Sequence, residues 1–274
     1  WSNFNDFESL QNIASYDDLC TAIRGYIANK GDVKRFLNMF RGEALTQSVT
    51  KGEENLYGEF RCINGRGQIV WCAFHLAVLR DPDTSEQYAF CYVRDINERK
   101  KTELALQERA ERDALTGLYN RQTAESMISQ RLSQREAGRE QCAFFVIDMD
   151  DFKQVNDRFG HHFGDQILQE IGRILRAEAP GNSISGRVGG DEFAAFFPSV
   201  EGVEDIAAVC GRICMETHTI LVEKQKISVS IGAVPACAGD DYDALYRLAD
   251  SALYRAKGDQ KDQYRLALRD GVPI

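Results

Sequence analysis

The sequence predicts an α+β protein in two parts. An N-terminal antiparallel sheet with helices precedes a larger C-terminal domain, whose mostly antiparallel central sheet is flanked by helices. Three observations predict this. Between Tyr57 and Asp95, short runs alternate apolar and polar residues with the period of two expected of half-buried strands. From Cys142 onward, apolar runs are interleaved with segments of helical periodicity. Between the two patterns, Ile96 to Asp113 is rich in Glu, Lys, Arg, Leu and Ala, all strong helix formers. A chain of 274 residues is long enough to bury two cores.

Taken in order, Tyr16 to Phe40 reads as helical, with apolar positions at Leu19, Ile23, Tyr26 and Ile27. Strands follow at Tyr57–Ile63, Gln68–Leu79 and Gln87–Asp95; in the middle one Val70, Cys72, Phe74, Leu76 and Val78 share a face. Asn64-Gly65-Arg66-Gly67 supplies the first hairpin turn, and Asp81 to Glu86, with Pro82, the second. The connecting stretch has Leu104, Ala105, Leu106 and Ala110 on its apolar side but no long heptad. It suits a solvated helix as well as one that pairs across a dimer. In the C-terminal part, a helix is predicted over Asn120–Arg135 and strands over Cys142–Asp148, Ile184–Val188, Phe193–Phe197 and Ile227–Ala233. Further helices are predicted over Gln166–Arg176, Val203–Val222 and Tyr242–Lys257. In the last, Ala249, Ala252, Leu253 and Ala256 form one face.

Composition excludes several function classes. A net charge of −9 and a pI near 5.1 argue against nucleic acid or an acidic membrane as partner. No run of 18 apolar residues and no signal peptide is visible. The chain begins at Trp1 without methionine, as a fragment would, which leaves room for an upstream sensor or membrane anchor. Its eight cysteines include no CxxC pair, so they read as buried reduced thiols of a cytoplasmic protein rather than a zinc site. The four histidines show no ligand spacing. His161 and His162 read as residues that shape a loop. His75, beside Trp71 and Ala73 on the strand face opposite Phe74 and Leu76, is conceivable as a haem ligand, but a lone histidine without a partner motif reads as a partly exposed residue.

The chemistry is concentrated in two acidic clusters. Gly189-Gly190-Asp191-Glu192-Phe193 lies between two apolar runs and reads as a hairpin tip, with the glycines supplying backbone angles closed to other residues. Carboxylates there suit a hard cation held against phosphates; a solvated turn is the plainer reading. Upstream, the apolar run from Cys142 to Ile147 ends in Asp148-Met149-Asp150-Asp151-Phe152-Lys153. There Asp148 suits a metal ligand or a turn cap equally well. If the two strands are neighbours, Asp148 and Asp191 converge and repel unless a proton or a cation intervenes. Mg²⁺ with a nucleoside triphosphate meets that condition, as in two-metal nucleotidyl transfer.

Six blocks in order carry a resemblance: DALTGLYNR (Asp113 to Arg121), DMDDFKQVND (Asp148 to Asp157), GHHFGD (Gly160 to Asp165), RVGGDEF (Arg187 to Phe193), SVSIGA (Ser228 to Ala233) and ADSALYRAK (Ala249 to Lys257). Residues 113 to 265 resemble the GGDEF domain of bacterial diguanylate cyclases, whose fold is similar to the palm of nucleotide cyclases and polymerases. The resemblance implies condensation of two GTP molecules into cyclic di-GMP with release of two pyrophosphates, across a homodimer in which each domain holds one GTP. It implies two Mg²⁺ per GTP site, with Mn²⁺ as a substitute. Asp148 is then a metal ligand, helped by the backbone carbonyl of Met149. Asp191 is the second metal carboxylate and helps deprotonate the ribose 3′-hydroxyl, and Glu192 has a supporting role. Asn156 and Asp165 match guanine readers, whose plainer readings are a loop turn and a helix N-cap. Adenine would leave Asp165 buried and unpaired. Lys257 and Lys261 match phosphate-contacting positions, although Lys257 also suits a helix C-terminus. Position 261 usually carries arginine in the family; lysine keeps the charge and loses the bidentate fork. Phe152 and Lys153 fall in the loop whose amides cradle the β- and γ-phosphates. Ala124 replaces a commonly larger residue, a matter of packing.

The first hundred residues resemble a PAS domain. Their strands end in Arg94-Asp95-Ile96-Asn97-Glu98-Arg99-Lys100, close to that family's common RDITERK ending. No PAS cofactor is identifiable, and the cysteine motif of flavin-adduct light sensors is absent. The expected organisation is a PAS-like sensor or dimerisation domain over 1–99, a linker helix over 100–112 and a GGDEF domain over 113–274. Intact signature residues favour a cyclase controlled by the sensor. A non-catalytic GTP- or effector-binding module on the same fold is the alternative, and a hybrid dinucleotide product a lesser variant. Many relatives carry an inhibitory RxxD motif before the hairpin, where product dimers bind. Here that stretch is Pro180-Gly181-Asn182-Ser183, so no inhibitory site is expected. Progress curves with added cyclic di-GMP should therefore show no potent non-competitive inhibition.

Overall fold

The computed structural model describes residues 15–50, 55–80, 82–84, 87–134, 141–222, 225–259 and 261–267. The chain divides into two compact units, Trp1–Leu106 and Gln107–Ile274.

In the first unit, α1 (Tyr16–Arg24), α2 (Lys30–Phe40) and α3 (Gly42–Thr50) precede β1 (Asn55–Ile63), β2 (Ile69–Arg80) and β3 (Gln87–Asp95). The strands form an antiparallel sheet in the order β1-β2-β3. The single helix expected over Tyr16–Phe40 is two helices. Ile27 makes a β-bridge with Cys62, and the Asn29 side chain accepts from Asp32 N at 2.9 Å to start α2 afresh. The predicted face of β2 is the inner one: Val70, Cys72, Phe74 and Leu76 are buried and Val78 packs at their margin. Four rings, Phe36, Phe40, Phe60 and Phe74, interlock at centroid distances of 5.1–6.3 Å. On the outer face His75 stacks on Tyr92 at 4.5 Å and meets Tyr57. Of the second hairpin turn, residues 81, 85 and 86 lie outside the described residues.

The helix α4 (Asn97–Glu111) buries none of its residues, and Leu104 and Leu106 are exposed. Its first turn is tied to β1, where Glu59 meets Arg99 and, at 2.9 Å, Lys100. Hydrogen bonds from Tyr57 and these two cations overcome the burial that opposes ionisation, and hold the Glu59 carboxyl at about 2.

The second unit contains β4 (Tyr119–Asn120), α5 (Arg121–Ser133), β5 (Cys142–Met149), α6 (Phe152–Phe159), α7 (His161–Glu178), β6 (Ile184–Arg187) and β7 (Glu192–Pro198). It continues with α8 (Val203–Thr217), β8 (Leu221–Val222), β9 (Gln225–Lys226), β10 (Val229–Ala236), α9 (Tyr242–Asp259) and β11 (Tyr264–Leu266). Six strands form one sheet in the order β11-β10-β5-β7-β6-β4. The four inner strands pair antiparallel, and the edge pairs β10–β11 and β4–β6 are parallel. β5 is continuous in apolar residues because both faces are covered. Phe145 and Ile147 enter a core with Ile171 and Leu175 of α7 and Ile213 of α8, while Phe144 and Val146 enter another with Ile128 of α5 and Leu245 and Leu253 of α9.

Several boundaries move. The loop expected between β5 and the helix at Gln166 is helical from Phe152, interrupted only at Gly160, whose φ of 82° is left-handed. His161 and His162 open α7 rather than shape a loop. The helix from Val203 stops at Thr217, and the strand expected over Ile227–Ala233 runs Val229–Ala236. Arg135 lies outside the described residues. None of the eight cysteines is in a disulfide; six are buried and Cys91 and Cys237 partly so. Ala124 is small because it meets Gly186 of β6, where an added Cβ would stand 2.5 Å from its own.

At Gly232 the backbone of α9 lies tight against the sheet. A Cβ there would be driven into the carbonyl of Ala249 and stand 2.5 Å from the amide of Leu253. Because both obstacles are backbone, Gly232→Ala should destabilise the C-terminal unit by about 3 kcal/mol or more, read as a lower urea midpoint for that unit.

Candidate active site

The pairing of β5 with β7 places Asp148 directly opposite Glu192, and Met149 N donates to Asp191 O at 3.2 Å. Strand register thus brings the two acidic clusters together at one end of the sheet. Glu192, not Asp191, is the cross-strand partner of Asp148.

Gly189 and Gly190 do not take left-handed angles, contrary to the sequence-based expectation. At Gly189 the reason for glycine is space: a Cβ would stand 3.1 Å from both Cβ and Oε2 of Glu192. The turn is held from outside by Arg187, whose Nε and Nη2 donate to Gly190 O at 3.1 and 2.6 Å while Nη1 pairs with Asp113 at 3.3 Å. Hydrogen bonds to Thr116 and the Arg187 charge outweigh burial and hold the Asp113 carboxyl below its ordinary range.

Asp148 is largely buried and meets Lys257 Nζ at 2.6 Å. Burial raises its pKa, the hydrogen bond and charge of Lys257 lower it, and the charges of Asp191 and Glu192 raise it; the net shift is upward. Glu192 Oε1 accepts from the Tyr246 hydroxyl at 2.8 Å. Burial, followed by that contact, keeps Tyr246 firmly protonated and therefore a donor.

The remaining expected residues surround α6. Phe152 and Lys153 are its first two residues rather than part of a loop, and Asp151, at the N-cap with φ 55°, provides no side-chain cap. First-turn amides of a helix have no intrahelical partner, so the start of α6 still presents backbone N–H donors. Lys261 Nζ lies 2.7 Å from Asp151 Oδ1, which raises the lysine's pKa. Asn156 lies within α6, and its Oδ1 is buried without a hydrogen-bond partner. Gly164 makes this possible, since a Cβ there would fall on that oxygen and come within 3.0 Å of the Phe152 ring. Asp165 is on the second turn of α7, neither an N-cap nor buried but exposed.

Lys257 thus meets Asp148, Lys261 meets Asp151, and Asn156 presents an unmet acceptor. Sequence reasoning missed Tyr246 and the Arg187–Asp113 clamp. Both clamp residues stand inside the quoted blocks, where their residue types were a usable signal; nothing local marks Tyr246.

The diguanylate cyclase GGDEF domain family matches residues 110–263, and the chain belongs to that family. Diguanylate cyclase DgcS of Shewanella oneidensis is 34% identical over 157 residues, covering 57% of this chain and 52% of that protein. Cyclic di-GMP phosphodiesterase PdeR of Escherichia coli is 31% identical over 184 residues, covering 66% of this chain and 27% of that protein. Among solved structures, the coiled coil and GGDEF domain of DgcB from Caulobacter crescentus, in complex with c-di-GMP, matches with a TM-score of 0.57 at 27% identity, covering 62% of this chain and 93% of that one. The chain spans about half or less of the length of these curated relatives.

The folded protein holds the Asp148 proton more tightly than the unfolded chain does. The contribution of this carboxyl to stability therefore falls as pH rises from the ordinary carboxyl range through its raised value. Asp148→Asn should raise the melting temperature of the nucleotide-free protein at neutral pH and leave it closer to wild type at low pH, measured by thermal scans across pH.

Proposed function

We propose that this chain is a diguanylate cyclase that condenses two GTP into cyclic di-GMP with release of two pyrophosphates. The observation that carries the reading is the meeting of Asp148 with the Asp191–Glu192 pair at the end of β5 and β7, beside the uncapped start of α6.

The donor set suits Mg²⁺, or Mn²⁺ in its place. It is all oxygen, and Asp148 already takes a cation, the Lys257 ammonium, at 2.6 Å. Among the described residues no three His, Cys, Asp or Glu side chains form a metal cage by themselves, so phosphate and main-chain oxygens complete the set. Asp148, Asp191 and the carbonyl of Met149 would hold the ions, with Glu192 in support. When bound, the metal ions supply charge neutralisation at the phosphates and lower the pKa of the ribose 3′-hydroxyl. Asp191 accepts the proton of that hydroxyl. The first amides of α6, at Phe152 and Lys153, cradle the β- and γ-phosphates, and Lys257 and Lys261 neutralise them. Asn156 Oδ1 receives the guanine amine, and Asp165 reads the same base edge.

One domain holds one GTP, so turnover requires a homodimer in which each 3′-hydroxyl attacks the other nucleotide's α-phosphate. Residues 1–99 act as a PAS-like sensory or dimerisation module, joined through a linker helix over 100–112 to the catalytic domain over 113–274. The setting is the bacterial cytoplasm. No helix of the described residues is long and apolar enough to cross a membrane.

A non-catalytic GTP- or effector-binding module is the second reading, favoured by the match to a protein named as a phosphodiesterase. Intact Asp148, Asp191, Glu192, Asn156 and Lys257 support catalysis instead. Incubation with GTP and Mg²⁺ followed by chromatography separates the readings. Cyclic di-GMP supports the cyclase, a mixed dinucleotide changes the substrate assignment, and GTP retained without turnover supports the second reading. Asp148→Ala and Asp191→Ala should each lower turnover at least about a hundredfold while the protein stays folded. Asp165→Ser should bring the rates with ATP and GTP closer together.

A further inference from the structure

We propose that Asp150 is a positioning residue that fixes Lys261 beside the phosphate-cradling start of α6; the inference rests on the nucleotide reading above. Asp150 is a buried carboxylate, 7% exposed, that no assigned role accounts for. It gathers three donors from segments remote in sequence. Ser230 Oγ donates to Oδ1 at 2.7 Å, Ser228 Oγ to Oδ2 at 2.7 Å, and the backbone amide of Asp262 to Oδ2 at 2.9 Å. Its own amide donates to Ser228 O at 3.0 Å. A buried carboxylate satisfied this fully is a rigid anchor, because losing any one donor leaves charge unmet in a place water does not reach.

What it anchors is strained. Lys261 and Asp262 are consecutive non-glycine residues in the left-handed region, at φ 58° and 51°. Asp151, next to Asp150, is a third, at φ 55°, and the described residues hold four such residues in all. Conformations of this kind persist only where the surroundings over-determine them, and they gather at functional sites. The turn is held at Asp262 by its amide on Asp150 and by its carboxylate, 2.6 Å from His218 Nε2. Held this way, Lys261 projects its ammonium to within 2.7 Å of Asp151 Oδ1, at the N-cap of α6. Without the anchor, the turn relaxes toward ordinary angles and the lysine leaves the helix start. Asp150 thus acts through Lys261 and touches no substrate itself.

The test uses the full chain. Hydrogen exchange at the Asp262 amide is read without nucleotide, and GTP affinity is read by calorimetry with Ca²⁺ in place of Mg²⁺. Asp150→Asn keeps the shape of the side chain, and Ser230→Ala removes one donor while leaving the carboxylate. Both should accelerate exchange at Asp262. Asp150→Asn should weaken GTP binding about tenfold, the scale of one charge-assisted hydrogen bond. In a Lys261→Ala background the same change should weaken binding no further, because the residue it positions is gone. Under turnover the effect should fall on KM with kcat nearly kept. Unchanged exchange, or an equal loss of affinity with Lys261 already removed, would overturn the proposal. Wild-type protein that binds no GTP while exchange responds as expected would instead refute the nucleotide reading on which the lysine's role rests.

Discussion

The antiparallel ladder between β5 and β7 is the constraint on which the C-terminal unit depends. Its register sets Phe145 opposite Ala195 and Asp148 opposite Glu192. Both strands are buried on both faces, so polarity does not choose the register; side-chain volume does. A slip of one residue would exchange Phe144 and Phe145, which face different cores with different helices. The large rings therefore hold the strands, and the strands deliver the carboxylates. The acidic residues are passengers on a ladder that hydrophobic packing has already fixed.

That delivery creates an electrostatic burden at the end of the sheet, since three carboxylates are brought toward one another at partial burial. The surroundings offset it with directed partners. Lys257 stands on Asp148, Tyr246 donates to Glu192, and Arg187 grips the carbonyl of Gly190. Lys257 and Tyr246 both come from α9, so the site is assembled by the fold and not by the hairpin alone. Burial first, and the neighbouring carboxylates after it, leave the Asp148 pKa raised in spite of Lys257.

Some errors of sequence reading have plain causes. The motif DFKQVND looks polar and loop-like, yet Phe152, Val155 and Phe159 fall on one helical face and pack against the core. Their spacing of three and four was a readable signal, hidden by the assumption that ligand-binding segments are loops. The split of the first helix has no such signal, because it depends on Ile27 pairing with Cys62, which lies 35 positions further along the chain. The glycine pair invites a conformational explanation, whereas at Gly189 the space left for the Glu192 side chain decides.

By itself the sequence determined the α+β class, the inner face of β2, the double-sided burial of β5 and the residue types that chemistry at phosphates requires. These follow from periodicity and from ordered local motifs, which short segments carry intact. Only the tertiary structure decided that Glu192 opposes Asp148, that Tyr246 and Arg187 hold the hairpin, that Asn156 keeps an unmet acceptor beneath Gly164, and that Asp150 joins β5, β10 and the turn at Lys261. The pairings of Asp148 with Glu192, of Tyr246 with Glu192 and of Asp150 with Ser230 and Asp262 join residues tens of positions apart, and they exist only once the core has closed the distance.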